Sequence, residues 1–232
     1  MITDHAIRRA QLYCFLADAF LYPAENWLED LPALMPILHD LELADYLPPS
    51  FDHQLSELQS EHRRTFGLTG SLCYETEYGL PNEYRQSQEL ADIAGFYQAF
   101  GFKVGGRRRE RPDHLATELE FLYVLALKEV YAMEQGIDEH VEVCIEARRA
   151  FLQDHIGRWI GLFAESLAKS ADRVREPIDQ PQPYVWLARL AAAFVQAEAR
   201  RLGLSLDMRR LSEVQHTPIA AEISCETCPE IS

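Results

Sequence analysis

Glycine and proline are not scattered through this chain. They collect between long segments in which apolar residues recur every three to four positions, and that pattern commits the chain to helices packed on helices. Runs of alternating β-branched residues bounded by hairpin signals do not occur, so a sheet has nothing to be built from. The periodicity predicts a first helix from about Asp4 to Leu21, carrying a stripe of Ile7, Gln11, Cys14 and Asp18. A second is expected over Asn26 to His39, interrupted near Pro32 or Pro36, and a third from an N-cap at Ser50 to Phe66. A fourth runs from Glu83 to Phe100, and a fifth from Pro112 or Asp113 to about Gly136. The sixth starts at Asp138 and reaches past Trp159 unless Gly157 divides it, and the last spans Tyr184 to Leu202. The centre of the fifth, LEFLYVLALKEV, is apolar almost all round and belongs at the heart of the bundle. Residues 1–211 are expected to form a single all-α domain, and residues 212–232 a mobile polar tail.

Charge narrows the function. Lys and Arg total 22 against 37 Asp and Glu, a formal charge of −15, which repels phosphate backbones and argues against a general nucleic-acid binder. No run of eighteen apolar residues is present, so stable membrane insertion is not expected. The N-terminal segment MITDHAIRRAQLYCFLADAF mixes its arginines with apolar residues around a helix, unlike a secretory signal. Five cysteines, odd in number and scattered, make no disulfide framework and suit a reducing cytoplasm.

Four constellations could carry chemistry. Cys225 and Cys228 form a CxxC in the tail, which reads as a mobile or partner-contacting segment, half a zinc site or a dithiol. Pro112, Asp113, His114 and Glu118 lie where the fifth helix begins. Proline suits a first helical turn, Asp113 complements the helix dipole, and His114 and Glu118 are four residues apart on one face. The plain reading is capping plus an ion pair; the other is a polar binding spot under a loop. Tyr74, Glu75, Thr76, Glu77 and Tyr78 lie in a long loop, either anchoring it by aromatic packing or forming a pocket with apolar walls and acidic rims. The stretch Pro23 to Glu61 holds nine acidic residues and no Lys or Arg; it is a solvated face or a field for a basic partner. The basic knot Arg107 to Arg111 is a loose loop or pairs internally with the acidic surface. Signatures of hydrolases, nucleotide-binding loops and zinc proteases are absent, so no enzyme is expected.

In order along the chain, CYETEYG, ELADIAGFYQAFGF, RPDHLATELEFLYVLALKE, FLQDHIGRWIGLF and PYVWLARLAAAF resemble the TorD/DmsD/NarJ superfamily of molybdoenzyme maturation chaperones, nearest its type II dimethyl-sulfoxide-reductase group. The resemblance implies an all-helical single-domain bundle of the TorD-like type, cytoplasmic and without a cofactor of its own. It would bind the twin-arginine leader and the apo-form of a molybdenum-cofactor catalytic subunit, such as a periplasmic dehydrogenase or reductase. Carried over by position, the implied signal-peptide site is Tyr74, Glu75, Thr76 and Tyr78 with Pro112, Asp113 and His114, supported by Glu118. Relatives can exchange helices, so monomer and homodimer are both open, and connectors near Gly105 and Pro181 would permit exchange. The competing reading is a helical metal or molybdenum-cofactor carrier using His114, Glu118 and the CxxC tail.

Overall fold

Helix α1 (Ile2–Phe20) and helix α5 (Leu115–Gln135) lie along each other and set the frame of the bundle. The computed structural model describes residues 2–67, 73–78, 83–105, 110–173 and 181–206. The contact is close because α1 offers Ala6, Ala10 and Ala17 among its larger buried residues. Most of the α5 surface is buried from Leu115 to Ala132, while Glu120, Leu127, Lys128 and Tyr131 stay exposed along one side, so the helix is not covered all round as its apolar centre suggests. The helix stops at Gly136, whose φ of 68° is the left-handed conformation that glycine adopts without steric cost. Its N–H and that of Ile137 satisfy the last carbonyls, Met133 and Ala132.

The other helices are α2 (Leu31–Asp40), α3 (Leu55–Phe66), α4 (Glu83–Ala99), α6 (Asp138–Asp154), α7 (Ile160–Arg173) and α8 (Pro183–Arg201). Helix α6 packs on α5, and α7 on α8. One continuous apolar core links them, with Phe121, Phe151 and Tyr97 packed at tilted and edge-on angles in one part and Phe20, Phe66, Phe163 and Tyr184 in another. The fold is all-α; among the described residues the sole extended pairing is an antiparallel bridge between Tyr74 and His114. The CxxC tail and Arg107 to Arg109 lie outside the described residues.

Several boundaries differ from expectation for physical reasons. Ser50 does not cap α3. Residues 47–54 run non-helically, with Phe51 against Trp186 and the His53 carbonyl accepting from Asn26, and α3 starts after Gln54, whose N–H donates to Glu57 at 2.7 Å. The second helix is not broken at Pro36: a 3₁₀ turn, Trp27–Asp30, leads into α2, Pro32 sits in its first turn and Pro36 stays inside it. Gly157 does divide the sixth segment, in a 3₁₀ turn between α6 and α7. There a Cβ would meet the Leu152 carbonyl at 2.1 Å, so only glycine fits. Helix α5 starts at Leu115, so Pro112 and Asp113 precede it in a turn and His114 is its cap.

A buried charge network, invisible to periodicity, joins four helices. Arg9 of α1 donates to Glu129 of α5 at 2.8 Å, Arg148 of α6 also bonds Glu129, and both arginines lie 3.7 Å from Glu198 of α8. Two positive and two negative groups cancel where water is excluded, so each needs its partners. Arg148→Ala should therefore cost about 3–5 kcal/mol in urea unfolding at neutral pH; a loss under about 1 kcal/mol would show that the network is not held out of water.

Candidate functional site

The two short segments singled out in the sequence meet. Cys73 to Glu75 lie antiparallel to Asp113 to Leu115: the Glu75 N–H donates to the Asp113 carbonyl at 2.9 Å, and the Leu115 N–H to the Cys73 carbonyl at 2.8 Å. Leu115 opens α5, where the first N–H groups have no partner within the helix. The loop strand supplies one acceptor and the His114 ring supplies another, its Nδ1 accepting the Ala116 N–H at 3.1 Å. After the bridge the chain turns through a 3₁₀ turn, Glu75–Glu77.

Side chains lock this junction. The Thr76 hydroxyl donates to Asp113 Oδ2 at 2.7 Å. Arg111 grips the same carboxylate with both arms of its fork, Nε to Oδ1 at 3.0 Å and Nη2 to Oδ2 at 2.8 Å, and its Nη2 also reaches Thr76 at 3.0 Å. The guanidinium lies 4.5 Å from the centre of the Tyr74 ring, a cation–π geometry. Tyr97 donates to the Pro112 carbonyl at 2.7 Å, holding the turn from α4.

A second layer lies beneath. His155 Nδ1 is 3.2 Å from Glu75 Oε2, and Trp159 Nε1 donates to Glu118 Oε2 at 3.3 Å. Tyr78 stacks on Trp159 with ring centres 5.3 Å apart. Burial, and then the charge of Glu75, raise the Glu118 pKa well above the usual carboxylate range, favouring its protonated form. Burial pulls the His114 pKa down to about 4, with His62 and Arg111 adding repulsion, so its ring is neutral at pH 7.

The expected His114–Glu118 ion pair therefore does not form. The histidine is uncharged and committed to the cap, and the carboxyl turns to Trp159. Of the residues carried over from the resemblance, Glu75, Thr76, Asp113, His114 and Glu118 are buried, with Asp113 and Glu118 at 0% exposure. Tyr74, Tyr78 and Pro112 are half-buried and Glu77 is exposed, so these four and Arg111 form the surface a partner can touch. Sequence reasoning missed Tyr97, His155 and Trp159, since nothing in their spacing points to the loop. Arg111 was expected to be loose or to pair with the acidic surface; it pairs instead with the buried Asp113, two residues along the chain.

A family model described as the nitrate reductase delta subunit matches residues 35–165, a span containing both halves of this junction. The chain is 30% identical over 169 residues to the selenate reductase assembly chaperone protein of Thauera selenatis, covering 72% of this chain and 80% of that one. It is 30% identical over 224 residues to the perchlorate reductase assembly chaperone protein of Dechloromonas aromatica, covering 88% and 94%. It is also 30% identical over 219 residues to the chaperone protein TorD of Vibrio cholerae, covering 82% and 90%.

The His114 cap makes a pH prediction. The unfolded histidine gains a proton below about pH 6.5, while the folded one resists until about pH 4, so stability falls as pH drops through that window. A shift of this size corresponds to about 3 kcal/mol. His114→Asn keeps a cap acceptor but does not titrate, so between pH 7 and 4.5 the variant should lose about 2–3 kcal/mol less than the parent in urea unfolding. Equal losses in the two proteins would mean that His114 is not buried as a neutral cap.

Proposed function

The chain belongs to the TorD/NarJ family of reductase assembly chaperones, and we propose that it serves the catalytic subunit of one molybdenum-cofactor oxidoreductase, binding its twin-arginine leader in the cytoplasm and delaying export until cofactor is in place. The observation that supports this reading is the rim at the head of α5, where the exposed Glu77 carboxylate and the half-buried Tyr74 and Tyr78 rings offer a carboxylate and aromatic faces to a guanidinium, while Arg111 already occupies the buried Asp113. The net charge of −15 favours the approach of such a leader, and the attraction should weaken with salt.

Burial divides the roles. Tyr74, Glu77, Tyr78 and Pro112 form the rim that a peptide would touch. Glu75, Thr76, Asp113, His114 and Glu118 are positioning residues that hold the rim at the head of α5. No described helix is long and apolar enough to cross a membrane. The carrier reading is weakened because the cap uses His114 Nδ1 and Trp159 holds Glu118, so the pair is not poised for a metal or a cofactor.

The test is calorimetric titration with the leader of the molybdoenzyme catalytic subunit encoded beside this gene. Binding is expected, at least tenfold weaker when both leader arginines become lysine, since lysine cannot make the two-armed contact. Tyr74→Ala should weaken binding with little change in unfolding midpoint, whereas Asp113→Ala should lower both, because it leaves Arg111 and Thr76 without their shared acceptor. A leader that does not bind, together with failure of the subunit to co-purify, would overturn the reading.

A further inference from the structure

Three carboxyl groups are buried beneath the loop strand: Glu75 at 5% exposure, and Asp113 and Glu118 at 0%. Two of them have basic partners. Arg111 grips Asp113, and His155 Nδ1 lies 3.2 Å from Glu75 Oε2. Glu118 has none among the described residues. Its Oε2 accepts from Trp159 at 3.3 Å, and its Oε1 is buried without a donor. An ionised carboxylate is costly in such a place, whereas the protonated acid needs only an acceptor for its hydrogen. Glu75 is that acceptor, near enough to act on Glu118 by hydrogen bond as well as by charge.

We propose that Glu118 and Glu75 form a proton-operated latch beneath the loop. While one proton is held between them, the loop strand stays on the head of α5. When that proton is lost to water, two adjacent ionised carboxyls share one closed space, and the loop strand parts from α5. The latch acts through Glu75, whose N–H bonds the Asp113 carbonyl and whose 3₁₀ turn leads through Glu77 to Tyr78. Its effect on a bound peptide rests on the leader-binding reading above, because Tyr74, Glu77 and Tyr78 travel with the loop; the latch itself does not rest on it.

The groups around the pair set the direction of the response. The turn before α5 contributes Asp113 and Arg111, and the turn between α6 and α7 contributes His155 and Trp159. Helix α4 contributes Tyr97 and, on the far side of His155, Asp92. Three buried carboxyls thus face one guanidinium and one imidazole. Even with both bases charged, one carboxyl must keep its proton for the interior to be neutral. Burial, and then the Glu75 charge, place that proton on Glu118. Once the loop parts, water reaches the carboxyl, and it ionises near its ordinary value of 4.5. The closed state therefore binds a proton that the open state releases, so closure is strongest at low pH and is lost as pH rises. The proton has a route out, since His155 Nε2 lies 3.5 Å from Asp92 Oδ2, on a side chain that is 68% exposed.

The experiment is native-state amide exchange of the full chain from about pH 6 to 9, read by NMR at the Glu75 and Leu115 N–H groups that join the two segments. Where closing outruns exchange, the chemical step quickens about tenfold per pH unit, and an opening that releases one proton adds up to about another tenfold. The parent should show the added steepness. Glu118→Gln, which keeps an acceptor for Trp159 and gives Glu75 a permanent donor, should not. Titration of His114 affects both proteins alike and cancels in the comparison. Thr76→Ala removes a hydrogen bond to Asp113, so it should exchange faster than the parent at every pH while keeping the steepness. If Glu118→Gln does not fold, Glu118→Leu, which also cannot titrate, takes its place. Equal steepness in the parent and the non-titrating variant overturns the latch, as does loss of steepness in Thr76→Ala. Calorimetry with the leader separates the two readings. Affinity that falls with rising pH in the parent, but not in Glu118→Gln, supports both. A leader that binds at no pH removes the leader reading, and the exchange slopes still decide the latch.

Discussion

One carboxylate, that of Asp113, organises the junction on which the proposed peptide site rests. It is fully buried, and burial of a charge is tolerated only where hydrogen bonds replace water. Thr76 and Arg111 provide those bonds, and the Asp113 carbonyl takes the Glu75 N–H as well. The loop strand, the turn before α5 and the start of the longest buried helix are thereby one unit. Displacing any of the three would expose α5 donors that currently have acceptors in the His114 ring and the Cys73 carbonyl.

A surface held this way is pre-organised. The side chains that face solvent, Tyr74, Glu77, Tyr78 and Pro112, are carried by backbone whose hydrogen bonds are already satisfied, so little ordering is needed when a partner arrives. The layer beneath, with His155 on Glu75 and Trp159 on Glu118, ties the same loop to the turn between α6 and α7. The rim proposed to meet a peptide and the bundle core are in this way parts of one hydrogen-bonded assembly. Five carboxylates, Asp18, Glu25, Asp30, Glu110 and Glu120, line a cavity on the α1 flank next to it.

The helical plan was legible because each helix buries one side or, for α5, most of its surface, and that requirement is written in apolar spacing. The division at Gly157 was legible for the same kind of reason, since glycine marks a place where a side chain has no room. The caps were less so. Ser50 has good capping chemistry, yet Phe51 is held against Trp186 and the chain enters α3 only at Gln54, so a contact between residues far apart in sequence overrode a local preference. His114 and Glu118 likewise have the spacing of a surface pair, but both are buried, and burial favours the neutral form of each.

By itself, the sequence determined that this chain is an acidic all-α bundle with two chemically distinctive segments, because composition and period act locally and add along the chain. Only the tertiary structure decided that those segments join, which of their side chains face water and which are consumed inside. It alone brought Arg9, Glu129, Arg148 and Glu198 from four helices into one neutral cluster. Such pairings depend on the low dielectric of a closed interior, and an interior exists only once the helices have packed.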